Sequence, residues 1–203
     1  MANILHIDSS PRASRSHSRK LTGEFIESWT AAHPGDKVIY KDLGHNPVPH
    51  VTEEWVAAAF TSPEERTAEL NDAIKLSDEL VDEFLQADAF VFSVPMYNFN
   101  VPSTFKAYID QIVRVNRTFN MKFEGLVKGK KMLIVTSRGA NFEEGTPLAP
   151  YDFQEPYLRT IFGFIGIEDI TFVHAQSINL GEEARDKSIE QARQNLQKLV
   201  TTW

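Results

Sequence analysis

Five short apolar runs, each followed by a stretch with helical periodicity, constrain this chain more than any other feature. The runs are Asn3 to Asp8, Asp36 to Tyr40, Ala89 to Val94, Lys130 to Thr136 and Ile170 to Val173. A parallel sheet covered by helices on both faces needs strands that are apolar on both sides, and strand-to-helix alternation supplies its crossovers. The expectation is a three-layer, doubly wound α/β fold around a five-stranded parallel sheet. Ligands of such sheets sit beyond the carboxyl ends of the strands. The loops after the first, third and fourth runs are therefore where chemistry is sought.

The helical segments read mainly as packing. Leu21, Phe25, Ile26 and Trp29 recur at helical spacing, and Thr52 to Phe60 reads as a short helix or a lid with Trp55, Val56 and Phe60 along its apolar side. Ser62-Pro63-Glu64-Glu65 combines a cap, a proline at the first helical position and a glutamate three places after the cap, which predicts a helix from there to about Gln86. Its stripe is Leu70, Ile74, Ser77, Val81, Phe84 and Leu85. Ser103 and Thr104 open the next helix, with Phe105, Ile109, Ile112 and Val113 inward and Lys106 and Arg114 facing water or a partner chain. Phe119 and Phe123 follow in a poorly periodic stretch, where they either pack locally or cover a flat ring. The closing helix from about Glu182 carries Ala184, Ile189, Ala192, Leu196 and Leu199. No repeat or linker interrupts the chain, and 203 residues fit one domain over 1–203.

Composition removes several classes of function. Without cysteine there is no disulfide framework, thiolate nucleophile or iron-sulfur cluster, and the six histidines lack metal-ligand spacing, so no metal site is expected. Redox chemistry would have to come from a bound cofactor. A net charge of −7 gives no global attraction for nucleic acid or an anionic membrane. With neither a cationic leader nor a run of spanning length, a soluble, cytoplasmic protein is the default expectation.

Three loops carry the candidate site. The first, Ser9 to Ser18, is rich in hydroxyls and cations and leads into a helix. The free N–H groups of that helix, with Ser10, Ser16 and Ser18 and with Arg15 as countercharge, could surround a phosphate, although an ordinary cap on a serine-rich loop accounts for the spacing equally well. The second, Val94 to Pro102, is stiffened by Pro95 and Pro102. Its Met96, Tyr97 and Phe99 offer broad apolar contact and its Asn98 and Asn100 offer amides, the mixture a planar heteroaromatic ring such as a flavin needs. The third is Ser137-Arg138-Gly139-Ala140-Asn141, where a glycine permits close approach of backbone to ligand. Beyond it, a long loop lets Tyr151, Phe153, Tyr157 or Phe162 cover the mouth, although the last three equally suit the inward face of the next helix. No GxGxxG, Walker A or GxSxG motif occurs, which removes the defining devices of dinucleotide dehydrogenases, ATPases and α/β-hydrolases.

Taken in order, Ser10 with Ser16-His17-Ser18, then Pro95-Met96-Tyr97-Asn98-Phe99-Asn100, then Ser137-Arg138-Gly139, and later Phe162-Gly163-Phe164-Ile165-Gly166, the chain resembles the FMN-dependent NADH:azoreductase family, related to flavodoxin-like quinone reductases. The resemblance implies a flavodoxin-like fold with strand order 2-1-3-4-5. It implies that Ser10, Ser16, His17 and Ser18 hold the FMN phosphate. Met96, Tyr97, Asn98 and Phe99 would contact the ribityl chain and ring, and Ser137, Arg138, Gly139 and Ala140 would complete the ring site. Ala140 stands where the family commonly has a second glycine, and fits if its φ is negative. Phe119 and Phe162 are the implied substrate-pocket residues, with Asn98 and Gly139 as ring-site support and no general base. The family's pattern is a homodimer that works by a ping-pong cycle: NADH, or alternatively NADPH, reduces FMN, and a quinone or an aromatic azo compound is reduced in turn. The competing reading is a nonenzymatic flavodoxin-like electron carrier, which would bind FMN without oxidising a nicotinamide.

Overall fold

Every residue of the third strand, Ala89–Ser93 (β3), is buried, which places it at the centre of the sheet. The computed structural model describes residues 1–203. Around β3 run Asn3–Asp8 (β1), Lys37–Asp42 (β2), Lys131–Ser137 (β4) and Asp169–Ala175 (β5). All neighbours pair in parallel, in the order β2-β1-β3-β4-β5, as the flavodoxin-like expectation requires. The two edge strands are the less buried ones.

Alternation along the strands sorts the core into two halves. Leu5, Ile7, Phe90, Phe92, Met132 and Ile134 belong to a core shared with Ala68–Gln86 (α3), Ser103–Ile112 (α4) and Gln154–Phe164 (α5). Ile4, Val91, Leu133 and Val135 face the other way, onto His17–Ala32 (α1) and Glu182–Thr202 (α6). Each fully buried apolar side chain of this kind contributes about 1.5–3 kcal/mol. The remaining helix, Glu53–Phe60 (α2), packs on α3 through Ala58, Ala59 and Ile74. No helix is long and apolar enough to cross a membrane.

Three expectations are corrected. The Ser62-Pro63 signature starts only a 3₁₀ turn, Pro63–Glu65, and α3 begins later, capped by Thr67, whose hydroxyl accepts from the Leu70 N–H. Between them Arg66 is extended, anchored by its Nε to the carbonyls of Ala58 and Thr61. Arg114 does not face water: it is 2% exposed, donates to Ser77 Oγ at 2.6 Å, pairs with Asp78 at 3.2 Å and lies over Trp55. Phe162 is not a pocket residue of this chain. It is completely buried between Phe92 and Phe105, with ring centroids at 5.8 and 6.4 Å, so no ligand reaches it.

Candidate active site

The carboxyl ends of β1, β3, β4 and β5 deliver four loops that bond to one another. After β1, Ser9 donates to the Ser93 carbonyl through both its N–H (3.1 Å) and its hydroxyl (2.8 Å), tying the serine loop to the end of β3. The Met96 N–H then reaches the Ser137 carbonyl at 2.9 Å, and the Arg138 N–H reaches Ala175 at 2.8 Å. Finally Ile178 and Asn179 donate to the carbonyls of Arg138 and Gly139. A pocket of about 180 Å³ lies where these loops meet.

Its first wall is Ser10, Arg12, Ser16 and His17. A 3₁₀ turn at Ala13–Arg15 turns the chain back, and Ser16 then caps α1 by accepting from the Arg19 N–H. The N–H groups of His17 and Ser18 find no acceptor within the chain, so the helix amino terminus offers two donors and the positive end of its dipole. Partial burial first, then the cations of Lys20 and Arg12, lower the His17 pKa. Ser18 is placed differently from the expectation. Its side chain is buried behind the wall, where its Oγ meets those of Ser93 (3.0 Å) and Ser16 (3.4 Å). Arg15 is exposed outside the pocket, and the loop cation that lines it is Arg12.

Pro95, Met96 and Tyr97 form the second wall. The two strand-like bonds between Tyr97 and Asn100, at 2.9 and 3.0 Å, enclose Asn98 and Phe99, both left-handed with φ of 49° and 67°. That is the geometry of a tight type I′ turn, which normally takes Asn-Gly. A phenylalanine there costs roughly 1–2 kcal/mol of backbone strain. Contacts of the Phe99 ring with Tyr151 (5.6 Å) and Phe142 (6.2 Å), and a bond from the Phe153 N–H to the Phe99 carbonyl, hold the strained turn in place. Asn98 does not line the first pocket. It lines a neighbouring cavity of about 480 Å³ with Asn100, Val101, Ser103, Lys106 and Tyr157, and Tyr97 separates and lines both.

The third wall is Ser137, Arg138 and Gly139, closed by Ile178 and Asn179 from the loop after β5. Arg138 is 1% exposed, pairs with Asp152 at 2.7 Å and has Glu155 4.0 Å from its Nη2, while its Nε and Nη2 make no hydrogen bond. At Gly139 a Cβ would lie 2.7 Å from Asn179 Nδ2, so any larger residue there requires that side-chain end to move. Ala140 has no positive φ and accommodates its side chain without strain. It lies just outside the pocket, its carbonyl accepting from the Ser177 N–H.

Phe119 is not brought to this pocket. It packs on Phe164 at the end of α5 (4.9 Å) and stacks with Phe123, beside the bond from the Val127 N–H to Ile165 that leads toward the start of β5. That is the opposite edge of the sheet. The residues that sequence reasoning missed are Arg12, Ile178 and Asn179. The last two follow the carboxyl end of β5 and would have been found by extending the sheet-edge rule to the fifth strand.

A flavodoxin-like fold family matches residues 2–200. The FMN-dependent NADH:quinone oxidoreductase 2 of Trichormus variabilis is 63% identical over 207 residues, covering all of both chains. The chain belongs to the FMN-dependent NADH:quinone oxidoreductase and azoreductase family. A second member of that family, from Nostoc punctiforme, is also 63% identical over the full length of both chains. Among solved structures, an azoreductase from Bacillus anthracis superposes with a TM-score of 0.91 at 26% identity, over the whole of each chain. An FMN-dependent NADH-azoreductase of that organism, solved in complex with FMN, matches 98% of this chain and all of its own with a TM-score of 0.86 at 25% identity.

Proposed function

We infer that this chain is an FMN-dependent oxidoreductase that takes hydride equivalents from NADH and delivers electrons to quinones and aromatic azo compounds. The observation that carries the reading is the convergence of an uncommitted helix amino terminus, a stiff aromatic-amide turn and the buried Arg138 segment on one pocket, in a chain that shares nearly two thirds of its residues with an FMN-dependent family member.

The residues present fit FMN. The N–H groups of His17 and Ser18, with the hydroxyls of Ser10 and Ser16 and the cation of Arg12, match a single phosphate. At about 180 Å³ the first pocket is below the usual range for a drug-sized ligand, so the flat ring belongs over its mouth, against Met96 and Tyr97 and toward the cavity beyond Asn98. Arg138, its guanidinium buried against Asp152 and Glu155, and the Gly139 backbone belong to the wall that flanks that mouth. Bound FMN supplies the two-electron chemistry, accepting hydride and passing the electrons on. The chain's own residues bind the phosphate, offer backbone and amide hydrogen-bonding groups to the ring, and keep one ring face open for alternating donor and acceptor. No side chain at the pocket is required as a general base.

A homodimer is part of the proposal. Phe60, Met121 and Phe123 are 70–74% exposed at one end of the molecule, and Phe99, Tyr151 and Phe153 are 44–55% exposed beside the pocket. Apolar surface of that kind marks interfaces. Phe119, remote from its own chain's pocket, would reach an active site only across such an interface. A cytoplasmic setting, where nicotinamide donors are available, completes the proposal.

The test is anaerobic. FMN-loaded protein is mixed with NADH, and separately with NADPH, followed by a quinone or an azo compound. Bleaching of the flavin's visible absorbance by a nicotinamide and recovery with the acceptor support the reading. FMN binding without bleaching by either nicotinamide would make the chain an electron carrier.

A further inference from the structure

Behind the serine loop, and outside the pocket, a partly buried cluster is built around Arg19 of α1. Its side chain is 15% exposed, and both terminal nitrogens form a fork with Asp42 at 2.7 and 2.8 Å. Nη1 also meets Asp8 at 3.1 Å and the Tyr40 hydroxyl at 2.7 Å, and Tyr40 donates to Asp8 at 2.8 Å. His45 also meets Asp42 at 2.8 Å, and one bond runs from the cluster to the serine loop: Arg19 Nη2 donates to the Ser10 carbonyl at 2.8 Å.

A second element bears on the same carbonyl. Gly44, just past β2, approaches so closely that a Cβ would fall 2.1 Å from the Ser10 oxygen. Gly44 is fixed in turn by its N–H bond to Asp42 Oδ1 at 3.0 Å, and Leu43 by its N–H bond to the Asp8 carbonyl at 2.8 Å. Two elements, α1 and the segment after β2, therefore converge on one peptide group of the serine loop. None of Arg19, Tyr40, Asp42 or Gly44 lines the pocket.

The charge balance excludes a simple field effect. One guanidinium stands against two carboxylates, so the cluster as a whole does not draw an anion toward the loop. Its geometry does something else. The Ser10 carbonyl, whose oxygen would repel a phosphate, is turned toward a donor outside the pocket, and this leaves the loop's hydroxyls and the α1 amino terminus to face inward.

We propose that Arg19, oriented by Asp42, is a positioning residue that sets the selectivity of the site for FMN over its unphosphorylated counterpart riboflavin. The inference rests on the phosphate placement proposed above. A forked charge-assisted pair fixes direction as well as distance, which a lysine at the same position does not reproduce.

The experiment titrates the flavin-free full chain with FMN and with riboflavin, for the parent protein, Arg19→Lys and Asp42→Asn. Both substitutions are expected to lower the ratio of riboflavin Kd to FMN Kd about ten-fold, the size of one lost charge-assisted bond, with riboflavin affinity unchanged. Arg19→Lys keeps the charge, so a retained ratio there overturns the proposal. Asp42→Asn removes a negative charge, so tighter FMN binding would show a field effect in place of positioning and overturn it as well. Parallel loss of both flavins would show that the cluster supports the fold at large, and the positioning role would fall with it. Equal affinity of the parent protein for FMN and riboflavin would instead defeat the phosphate placement itself.

Discussion

Arg138 and Asp152 form an ion pair 2.7 Å long in which the guanidinium is all but inaccessible to water. Asp152 also accepts from the N–H groups of Gln154 and Glu155 through its other oxygen, so one carboxylate both neutralises the pocket's arginine and caps α5. Asp152→Ala would leave the buried guanidinium with only the longer contact to Glu155, 4.0 Å from Nη2. The expected loss of stability is about 3–5 kcal/mol, read from urea denaturation of the flavin-free protein. A loss below about 1 kcal/mol, in the range of a surface pair, would mean that the guanidinium finds another partner.

Glu155 is next in that chain of contacts. It accepts from His174 Nε2 at 2.8 Å, and His174 Nδ1 meets the Thr136 hydroxyl at 2.8 Å. The hydrogen bond from His174 is the largest cause holding the Glu155 carboxyl down, from an ordinary 4.5 to about 2, against the opposing effect of burial. A carboxyl depressed in the folded state stabilises it fully above the unfolded-state value and less as acid protonates it. Stability should therefore fall between pH 4.5 and about 2, more steeply in the parent protein than in Glu155→Gln. Identical acid-denaturation slopes for the two proteins would contradict the assignment.

The two serines of the α1 amino terminus should separate. Ser16 lines the pocket, whereas Ser18 is buried against Ser93. Ser16→Ala is expected to weaken FMN binding several-fold and to cost about 1 kcal/mol for the lost cap. Ser18→Ala should cost about 1 kcal/mol of stability with FMN affinity nearly unchanged. Calorimetric titration beside thermal unfolding reads both, and the reverse pattern would exchange their roles.

Two glycines, Gly139 in the pocket wall and Gly44 behind the serine loop, meet different neighbours. At Gly44 an added methyl strikes the backbone of Ser10, but at Gly139 it strikes only the end of the Asn179 side chain. Gly44→Ala should displace the serine loop and reduce FMN affinity at least ten-fold, about 1.4 kcal/mol. Gly139→Ala should be met by rotation of Asn179, with a loss of stability under about 1 kcal/mol. Equal effects of the two substitutions would show that the Ser10 loop yields as readily as a side chain.

What the sequence made legible follows from the range of the forces involved. Ala89 to Val94 and Lys130 to Thr136 were readable as strands because burial on both faces leaves an unbroken apolar signature. The serine, Met-Tyr-Asn-Phe and Ser-Arg-Gly loops were readable as one site because the sheet edge brings them together. Phe162 and Arg114 were misplaced for a common reason: whether an aromatic meets ligand or core, or a cation meets water or Ser77 and Asp78, depends on helices far away in the chain. Phe119 shows the same limit, since its loop returns along the opposite edge of the sheet to rest on Phe164. Thr67 prevailed over Ser62 as a helix cap because Arg66 is tied to the end of α2, a contact that no local signature encodes.

The central claim is a place for the flavin, and a crystal structure of the FMN complex tests it most directly. The account expects the phosphate within hydrogen-bond distance of the His17 and Ser18 N–H groups, with the ring lying against Met96 and Tyr97, an edge toward Gly139 and one face open. A phosphate bound away from the α1 amino terminus, or a ring at any other edge of the sheet, would contradict it.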